Sequence, residues 1–517
     1  MRLSLQVRVL LFATTSSFCT TSSFAFAPIA PTLSTSTAAP SYPFPLSAMQ
    51  SGESTTTNPV EGDTYGDYFT TSYKPNLPLP SPLLSLTPGT WAYDTMTRRI
   101  DSEILQRTFD ENKDNLTENP DFASALEKFQ ALRSELQNSA NTPLTYLDPL
   151  PDNLKHDPVR VREYNEWQQI LKSYVDKEDT WLSTPWLVAE FYLYRRLLQT
   201  IDYFNPKSLT YQYDLFHSQK QAGLYTSLAT AEPILEQLNG LGDKPVKDGM
   251  SLAAAFALWG NKMDLSIWPA DTEESAGVPG LFQEILASAN DNLLHDDTES
   301  LVNYGQELKD KNGGIVDIVV DNAGFELIMD LALADYLIDS GVAKVVRFQL
   351  KSHPLFVSDA LEKDLREHVE YYANSDETAE SFKSCKAAGE RWLQYLESGK
   401  WQCNENSFWV QPPPMWEMPA DLRSDMESRC DLAFIKGDAN YRRLLGDLEW
   451  DFSAPFEDVV GHYFPCPVCA LRTLKAEVGC GMEKKKVENA KSLDADNWST
   501  NGRFGVVHFS MGASSSN

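Results

Sequence analysis

A stretch of 29 residues, GGIVDIVVDNAGFELIMDLALADYLIDSG at positions 313 to 341, constrains the fold of this chain more than any other. A continuous apolar run is followed by an Asp-Asn pair, a glycine and then apolar residues at helical spacing, which indicates a buried strand leading into a helix. From about residue 252 onward the β-rich segments AKVVRFQL, CDLAFIK and FGVVHFS also alternate with helical stretches. This alternation predicts a parallel sheet with helices on both faces.

The chain before this sheet is predicted to be mostly helical. The segments TWAYDTMTRRIDSEILQR, NPDFASALEKFQALRSELQN and STPWLVAEFYLYRRLLQTIDYF carry apolar residues at helical spacing. We therefore predict an α/β protein with a helical region over residues 61–250 and an α/β domain over residues 251–517. Residues 380–428 are too long for an ordinary crossover, and they are interpreted either as a lid over a strand end or as a surface elaboration.

Residues 1–60 are predicted to be a targeting presequence or disordered leader. No Asp or Glu precedes Glu53, and Arg2 and Arg8 precede the apolar run VLLFA, which a Ser/Thr/Pro-rich stretch follows. The pattern resembles a bipartite plastid-targeting leader and predicts a plastid protein. No Lys or Arg occurs between Arg8 and Lys74, which leaves open a secretory signal, or a start at Met49 that would keep the protein in the cytoplasm.

The charge of the chain restricts its partners. Its 73 acidic and 44 basic residues give a formal net charge of -29, which argues against nucleic-acid binding because such proteins need clustered Lys and Arg. No apolar run after the leader approaches the roughly 20 residues that span a bilayer. We therefore expect a small-molecule or protein partner, no nucleic acid and no membrane. Binding of an anion would require a metal or local cations.

Polar side chains follow three of the predicted strands. Asp321 and Asn322 end the run IVDIVV, Asp359 follows AKVVRFQL, and Asp438 and Asn440 follow CDLAFIK. In an open parallel sheet, ligands bind outside the carboxyl ends of the strands. The first three residues could together hold Mg2+ or Mn2+, since carboxylate and amide oxygens suit hard cations. The alternative is that Asp321 or Asn322 only caps the following helix.

Cations are available close to these turns. Arg442 follows the third strand end, and the segment CALRTLK supplies Arg472 and Lys475, which could offset the charge of a bound phosphoryl group. The alternative is that they are ordinary surface residues. The segment LWGNKMDLS places Asn261 and Asp264 after an apolar helical stretch, and we interpret it as one more loop at the crevice.

Glu190 stands within the strongly apolar segment WLVAEFYLYRR. An unpaired carboxylate would be costly there. We therefore predict that Glu190 pairs with an arginine or with a substrate hydroxyl, and the arginines considered as structural partners are Arg98, Arg99 and Arg195.

Taken in order, the segments WLVAEFYLYRR, LWGNKMDLS, VDNAGFELIMDLALADYL, FVSD, KGDANYRRLLGD and RTLK closely resemble the metal-dependent damage-control phosphatase family. The tetrad RTLK matches the RTxK mark of its sugar-phosphate phosphatase subgroup, which is also called acidic-residue methyltransferase. The resemblance covers about residues 70–510. It implies a Rossmann-like three-layer α/β/α domain beside a mostly helical N-terminal region, and activity on fructose 1-phosphate, fructose 6-phosphate and similar sugar phosphates.

The resemblance also implies roles for single residues. Asp321, Asn322 and Asp359 would be catalytic and would ligate a divalent metal, for which Mn2+, Ni2+, Co2+ or Mg2+ is plausible. The substrate-binding residues would be Asp321, Asn322, Asp438, Ala439, Asn440, Tyr441, Arg442, Lys475 and Glu190. The second name of the subgroup implies an alternative, an S-adenosylmethionine-dependent protein-glutamate O-methyltransferase. The usual glycine-rich nucleotide loop after an early strand is not present, which weakens that alternative.

Overall fold

A computed structural model describes residues 68–260, 289–375 and 380–513 of the chain. The predicted leader over residues 1–60 lies outside these ranges, as do Asn261 and Asp264. Within the described residues, no helix is long and apolar enough to cross a bilayer.

Seven strands of the described chain form one sheet in the spatial order β1-β7-β6-β5-β2-β3-β4. The pairs β1-β7, β6-β5, β5-β2, β2-β3 and β3-β4 are parallel. The prediction of a parallel sheet is wrong at one pair, because β7 runs antiparallel to β6. Large α/β sheets often include one antiparallel strand. The strands are β1 (Leu293–Asp296), β2 (Gly314–Val319), β3 (Ala343–Lys351), β4 (Trp401–Asn406), β5 (Leu432–Lys436), β6 (Val468–Thr473) and β7 (Gly505–Ser510).

Helices form most of the remaining described chain. The α-helices are α1 (Trp91–Asp94), α2 (Gln106–Glu111), α3 (Lys113–Glu118), α4 (Ala123–Gln137), α5 (Pro158–Val175), α6 (Trp186–Thr200), α7 (His217–Tyr225), α8 (Leu228–Leu238), α9 (Val246–Gly260), α10 (Ala289–Asn292), α11 (Thr298–Asp310), α12 (Phe325–Asp339), α13 (Glu362–Ala373), α14 (Lys383–Ser398), α15 (Ala420–Arg429), α16 (Gly437–Leu444) and α17 (Lys484–Leu493). Segments Thr95–Leu105 and Glu457–Gly461 are π-helical, and Pro120–Phe122, Glu380–Phe382, Ser407–Val410 and Met415–Glu417 are 3-10 turns.

The sheet separates two hydrophobic clusters, which makes the three layers of the α/β/α fold. Side chains of β5 alternate between the clusters, with Ala433 and Ile435 in one and Leu432 and Phe434 in the other. This alternation follows from the period of two in a strand. The first cluster also contains the apolar residues of α4, α5 and α6, so the N-terminal helices supply a layer of the fold. The α/β class and the helical N-terminal region are confirmed.

The strands β2, β3, β5 and β7 lie where the sequence predicts them, whereas β1, β4 and β6 were not predicted. Strand β4 has the sequence WQCNEN at an edge of the sheet and shows little apolar character. Strand β6 is buried at every position, and its segment VCALRT combines residues that favour helices as readily as strands. In both cases, packing in the sheet decides the conformation rather than local propensity.

The Pro/Trp-rich part of residues 380–428 belongs to the core. Phe408, Trp409, Val410 and Met415 are fully buried in the first hydrophobic cluster. The Trp409 indole donates a hydrogen bond to Gln349 at 3.3 Å. A segment that buries this much aromatic surface forms a fixed layer over the sheet, so the interpretation as a lid is not supported.

The order of the strands defines where a ligand crevice should lie. From β2 the chain proceeds to β3 and β4 on one side, whereas β5 and β6 lie on the other side of β2. The loops after β2 and β5 therefore diverge, which opens a crevice at their carboxyl ends.

Candidate functional site

The carboxyl ends of four adjacent parallel strands, β6, β5, β2 and β3, bring the predicted site residues to one edge of the sheet. Asp321 follows β2, Asp359 follows β3, Asp438 lies in the first turn of α16 after β5, and Lys475 follows β6. The spatial convergence expected from the order of the segments is therefore present in the structure.

The loops after β2 and β3 are joined directly at the predicted metal ligands. Asn322 and Asp359 form an antiparallel backbone bridge. The N–H of Ala360 donates to the carbonyl oxygen of Asp321 at 2.8 Å, and the Ser358 hydroxyl donates to Asn322 Oδ1 at 2.7 Å. The three predicted ligands are buried, at 3%, 5% and 1% exposure for Asp321, Asn322 and Asp359. They are held rigidly, as a metal site requires.

The charges around Asp321 suit a cation. Asp321 Oδ1 is buried and has no hydrogen-bond partner within the described residues. Burial, followed by the carboxyl groups of Asp359 and Glu326, raises the pKa of Asp321 well above its usual value, although Lys351 and Lys475 oppose this shift. A divalent cation would compensate such a concentration of buried negative charge. The donor set of carboxylate and amide oxygens fits Mg2+ or Mn2+.

Lys351 is a member of the site that the sequence reasoning missed. Its ammonium group donates to Asn440 Oδ1 at 3.0 Å and to the Val320 carbonyl at 3.2 Å, and it lies 3.4 Å from Asp359 Oδ2. It is 1% exposed at the end of β3. The sequence did contain a signal for Lys351, because it ends an apolar strand. A buried ammonium group needs carboxylate or carbonyl partners, so a lysine at this position predicts polar groups nearby.

Glu326 was also missed, although it lies in the segment DNAGFE. Its Oε2 accepts a hydrogen bond from Asn322 Nδ2 at 2.8 Å, and its Oε1 lies 3.5 Å from Lys436 Nζ. Lys436 also lies 2.9 Å from Asp330 Oδ1 and donates to the Ala257 carbonyl at 2.7 Å. Glu326 therefore orients the amide of Asn322 from beneath the site.

A buried histidine holds the turn between Asp321 and α12. The N–H of Gly324 donates to His368 Nε2 at 2.8 Å, and His368 Nδ1 lies 2.6 Å from the Asp364 carbonyl. Burial lowers the pKa of His368 to about 4, so the ring is neutral and donates its Nδ1 proton. Gly324 has φ of 70° and ψ of −143°, a conformation open mainly to glycine.

The loop that carries Asp359 is strained. Phe356 and Val357 have φ angles of 46° and 69°, in a region that bulky or β-branched side chains rarely adopt. Each such residue costs on the order of 1–3 kcal/mol. The packing of the Phe356 ring against Phe191 and Tyr194, at 4.9 and 5.2 Å between centroids, helps to hold the loop in place.

Asp438 organises the turn that carries Lys475. Its Oδ1 accepts hydrogen bonds from Arg472 Nε at 2.7 Å and from the Lys475 backbone N–H at 3.1 Å. The Arg472 guanidinium also donates to the carbonyl oxygens of Ala476 and Val478. The two cations of the RTLK tetrad therefore differ in role: Arg472 is fully buried and fixes the turn, whereas Lys475 is half-buried beside the crevice.

The remaining predicted residues of α16 lie in different surroundings. Asn440 Nδ2 donates to the carbonyl oxygens of Val320 and Lys436 at 3.1 and 2.9 Å. Tyr441 is fully buried, and its hydroxyl lies 3.2 Å from His508 Nδ1, on the core side of the helix. Ala439 is partly exposed.

The partner of Glu190 is Arg442, which donates to Glu190 Oε2 at 2.8 Å across 252 positions of sequence. Arg442 also binds Asp447 through two hydrogen bonds of 2.7 and 3.0 Å, and its guanidinium lies 3.8 Å from the centroid of the Trp186 ring. The prediction of an arginine partner is confirmed, but its identity was wrong. Arg98, Arg99 and Arg195 pair with Asp94, Glu103 and Glu163 respectively.

A second group of potential metal ligands, His217, Asp364 and Glu367, lies within the described residues. Its negative charge is already compensated, because Lys220 Nζ is 2.8 Å from Asp364 Oδ2 and Lys363 Nζ is 3.1 Å from Asp364 Oδ1. Two ammonium groups in contact with the central carboxylate oppose a further cation. The strand-end site is therefore the better candidate for a metal.

Comparisons with known proteins find one family over most of the chain. A family model described as the Damage-control phosphatase ARMT1-like domain matches residues 95–490. The chain is 33% identical over 441 residues to Damage-control phosphatase ARMT1 of Mus musculus, which covers 81% of this chain and 96% of the mouse protein. The protein of the same name from Danio rerio is 32% identical over 451 residues, with 83% and 97% covered. The Homo sapiens protein is 30% identical over 451 residues, with 83% and 98% covered.

Proposed function

This chain belongs to the family of ARMT1-like damage-control phosphatases and is a metal-dependent phosphatase, and we propose that its substrates are sugar phosphate monoesters of the fructose 1-phosphate and fructose 6-phosphate class. The observation that carries this proposal is the convergence of Asp321, Asn322, Asp359 and Lys475 at the ends of adjacent parallel strands. Buried carboxylates for a metal and an ammonium group for a phosphate meet there.

Asp321, Asn322 and Asp359 are proposed to hold the metal, with Mn2+, Ni2+, Co2+ or Mg2+ as candidates. The buried and unpartnered Oδ1 of Asp321 supports this assignment. When bound there, such a cation supplies Lewis acidity toward a phosphoryl oxygen. The surrounding side chains keep the ligands in place: Ser358 and Glu326 hold both ends of the Asn322 amide.

Lys475 is proposed to bind the phosphate oxygens. Its backbone is fixed by Asp438, so the ammonium group is carried by an ordered turn. The carboxylates of Glu190 and Asp447 already balance the charge of Arg442. We therefore assign Arg442 the role of holding Glu190 in position, and not that of neutralising a phosphate on its own. Phosphate monoesters hydrolyse very slowly without a catalyst, and preorganised positive charge in a buried site lowers that barrier.

Methyl transfer from S-adenosylmethionine is not favoured. The relatives reported above are named phosphatases. Adenosyl-binding α/β folds usually place a glycine-rich loop after an early strand. The loop after β2 instead directs Asp321 and Asn322 toward Asp359, and its single glycine, Gly324, binds His368.

The proposal is tested by phosphate release from a panel of sugar phosphates, with Mn2+, Mg2+ or EDTA present. We expect metal-dependent release from fructose 1-phosphate or fructose 6-phosphate, and loss of release in Asp321→Asn and Asp359→Asn. The matched control is His217→Ala in the other cluster of potential ligands, which should retain activity. Metal-independent release, or methyl transfer to protein carboxylates without phosphate release, would refute the proposal.

A further inference from the structure

One face of α6 lies beside the site and carries two polar groups one turn apart. Glu190 and Tyr194 are four positions apart in sequence, which puts them on the same side of a helix. Glu190 is bound to Arg442. Tyr194 is 3% exposed, and its ring packs edge-on against Phe216 and Phe356, at 6.0 and 5.2 Å between centroids.

The ring of Tyr194 contacts the loop that carries Asp359. Phe356 precedes Asp359 by three positions in the strained loop, so the Tyr194 ring contacts the segment that carries a predicted metal ligand. Burial, followed by the carboxyl groups of Glu190 and Asp359, raises the pKa of Tyr194 well above 10. The phenol is therefore protonated at any ordinary pH and is available as a hydrogen-bond donor.

No hydrogen bond from the Tyr194 hydroxyl to another described residue occurs in the structure. Tyr192, two positions earlier on the same helix, differs in this respect: its hydroxyl donates to the Thr145 carbonyl at 2.8 Å and lies 3.1 Å from the Thr145 hydroxyl. Buried tyrosine hydroxyls usually find a partner. Tyr192 therefore has a structural role, whereas the hydroxyl of Tyr194 has no partner among the described residues.

We propose that the Tyr194 hydroxyl donates a hydrogen bond to a hydroxyl group of the substrate sugar, which makes Tyr194 a specificity-determining residue for polyol phosphates. The inference rests on the proposed function and extends it to the part of the substrate that carries no phosphate. The proposed function places the phosphate group of the substrate at the metal ligands and Lys475. The sugar part would then lie toward α6. Aromatic walls with a few placed polar groups are typical of small-molecule pockets. Here Phe356 packs against the Tyr194 ring, and Trp186 packs against Arg442, the partner of Glu190.

The test compares Tyr194→Phe with the wild type, both loaded with Mn2+, on fructose 1-phosphate and on p-nitrophenyl phosphate. Loss of one neutral hydrogen bond should raise the KM for fructose 1-phosphate by about 5-fold, with kcat within about 2-fold. The kinetic constants for p-nitrophenyl phosphate, which offers no sugar hydroxyl, should be unchanged. Tyr192→Phe is the matched control, and its kinetic constants for both substrates should equal those of the wild type.

An equal change for the two esters, or no change for either, would overturn the inference and leave the phosphatase function standing. A wild type that hydrolyses p-nitrophenyl phosphate but no sugar phosphate would overturn both. Tyr194→Phe removes a single oxygen from a ring that keeps its aromatic contacts, and thermal melting checks its fold. If it melts far below the wild type, the same comparison is made with Tyr194→Met, whose flexible apolar side chain fills the space without a donor.

Discussion

A β-carbon built on Gly437 would overlap the carboxylate of Asp321, and Gly437 has a φ of +77°. The first residue of α16 can therefore lie against the first predicted metal ligand only because it has no side chain. The contact couples the loops after β2 and β5 on the two sides of the point where the strand order reverses.

Gly437→Ala should displace Asp321 and lower kcat/KM by at least about 100-fold, since misplaced ligands weaken both metal binding and orientation. The positive φ alone should cost about 1–2 kcal/mol. Gly399→Ala is the matched control, because Gly399 has a φ of +73° and open space around it. Urea unfolding should show destabilisation in both variants, larger in Gly437→Ala because of the overlap with Asp321, whereas phosphate release should fall only in Gly437→Ala. Equal activities in the two variants would contradict the assigned role of Asp321.

Metal binding should be visible without any substrate. Mn2+ at about 100 times its Kd should raise the melting temperature of the wild type by about 2–5 °C. Asp321→Asn should lose this increase, and without metal it should melt higher than the wild type at neutral pH. Burial beside Asp359 and Glu326 raises the pKa of Asp321, so folding of the wild type requires proton uptake that an amide does not need. His217→Ala should retain the Mn2+ effect. A metal-induced increase that disappears in His217→Ala instead would place the ion at the other cluster.

Lys475→Met should lower kcat/KM for sugar phosphates by about 100-fold, since one well-placed cation at a reacting phosphoryl group contributes roughly that much. The turn should be retained, because the hydrogen bond to Asp438 Oδ1 comes from the backbone N–H of residue 475, which the substitution keeps. Lys484→Met, at an exposed position of α17, serves as the charge-matched control. Comparable losses in both variants would show that overall charge, rather than a local contact, governs phosphate binding.

Arg442→Met should destabilise the protein by about 3–5 kcal/mol, since it leaves the buried carboxylates of Glu190 and Asp447 without their partner. Adding Glu190→Gln should recover part of this loss, because one of the stranded charges is then neutral. Arg98→Met removes an exposed ion-pairing arginine and should leave the free energy of unfolding nearly unchanged. Urea denaturation of the single and double variants measures these differences. A double variant no more stable than Arg442→Met would contradict the pairing.

The stability of the protein should fall between pH 5 and 7 in part because of Glu417. Burial raises the pKa of Glu417 from 4.5 to about 7. The native state therefore keeps a proton that the unfolded chain has released, so its contribution to stability is lost as pH rises through this window. Glu417→Gln should match the wild type at about pH 4 and be more stable at pH 8 by about 3 kcal/mol. Parallel stability curves for the two proteins across this range would contradict the shift.

The sequence by itself determined the local structure and the identity of the main polar groups. Strands β2, β3 and β5 and helix α12 follow from the apolar periodicity, and the polar residues at their ends predicted the position of the crevice. These features are local, because a period of two or 3.6 residues can be read from consecutive side chains.

The tertiary structure alone decided which distant groups meet. The pairing of Glu190 with Arg442, the contact of Lys351 with Asn440 and the antiparallel direction of β7 join segments far apart in the chain. No local pattern records such contacts, because their energies depend on burial, on distance and on the charges that packing brings together. The sequence predicted that Glu190 pairs with an arginine or a substrate hydroxyl, but only the fold selects Arg442 from the arginines of the chain.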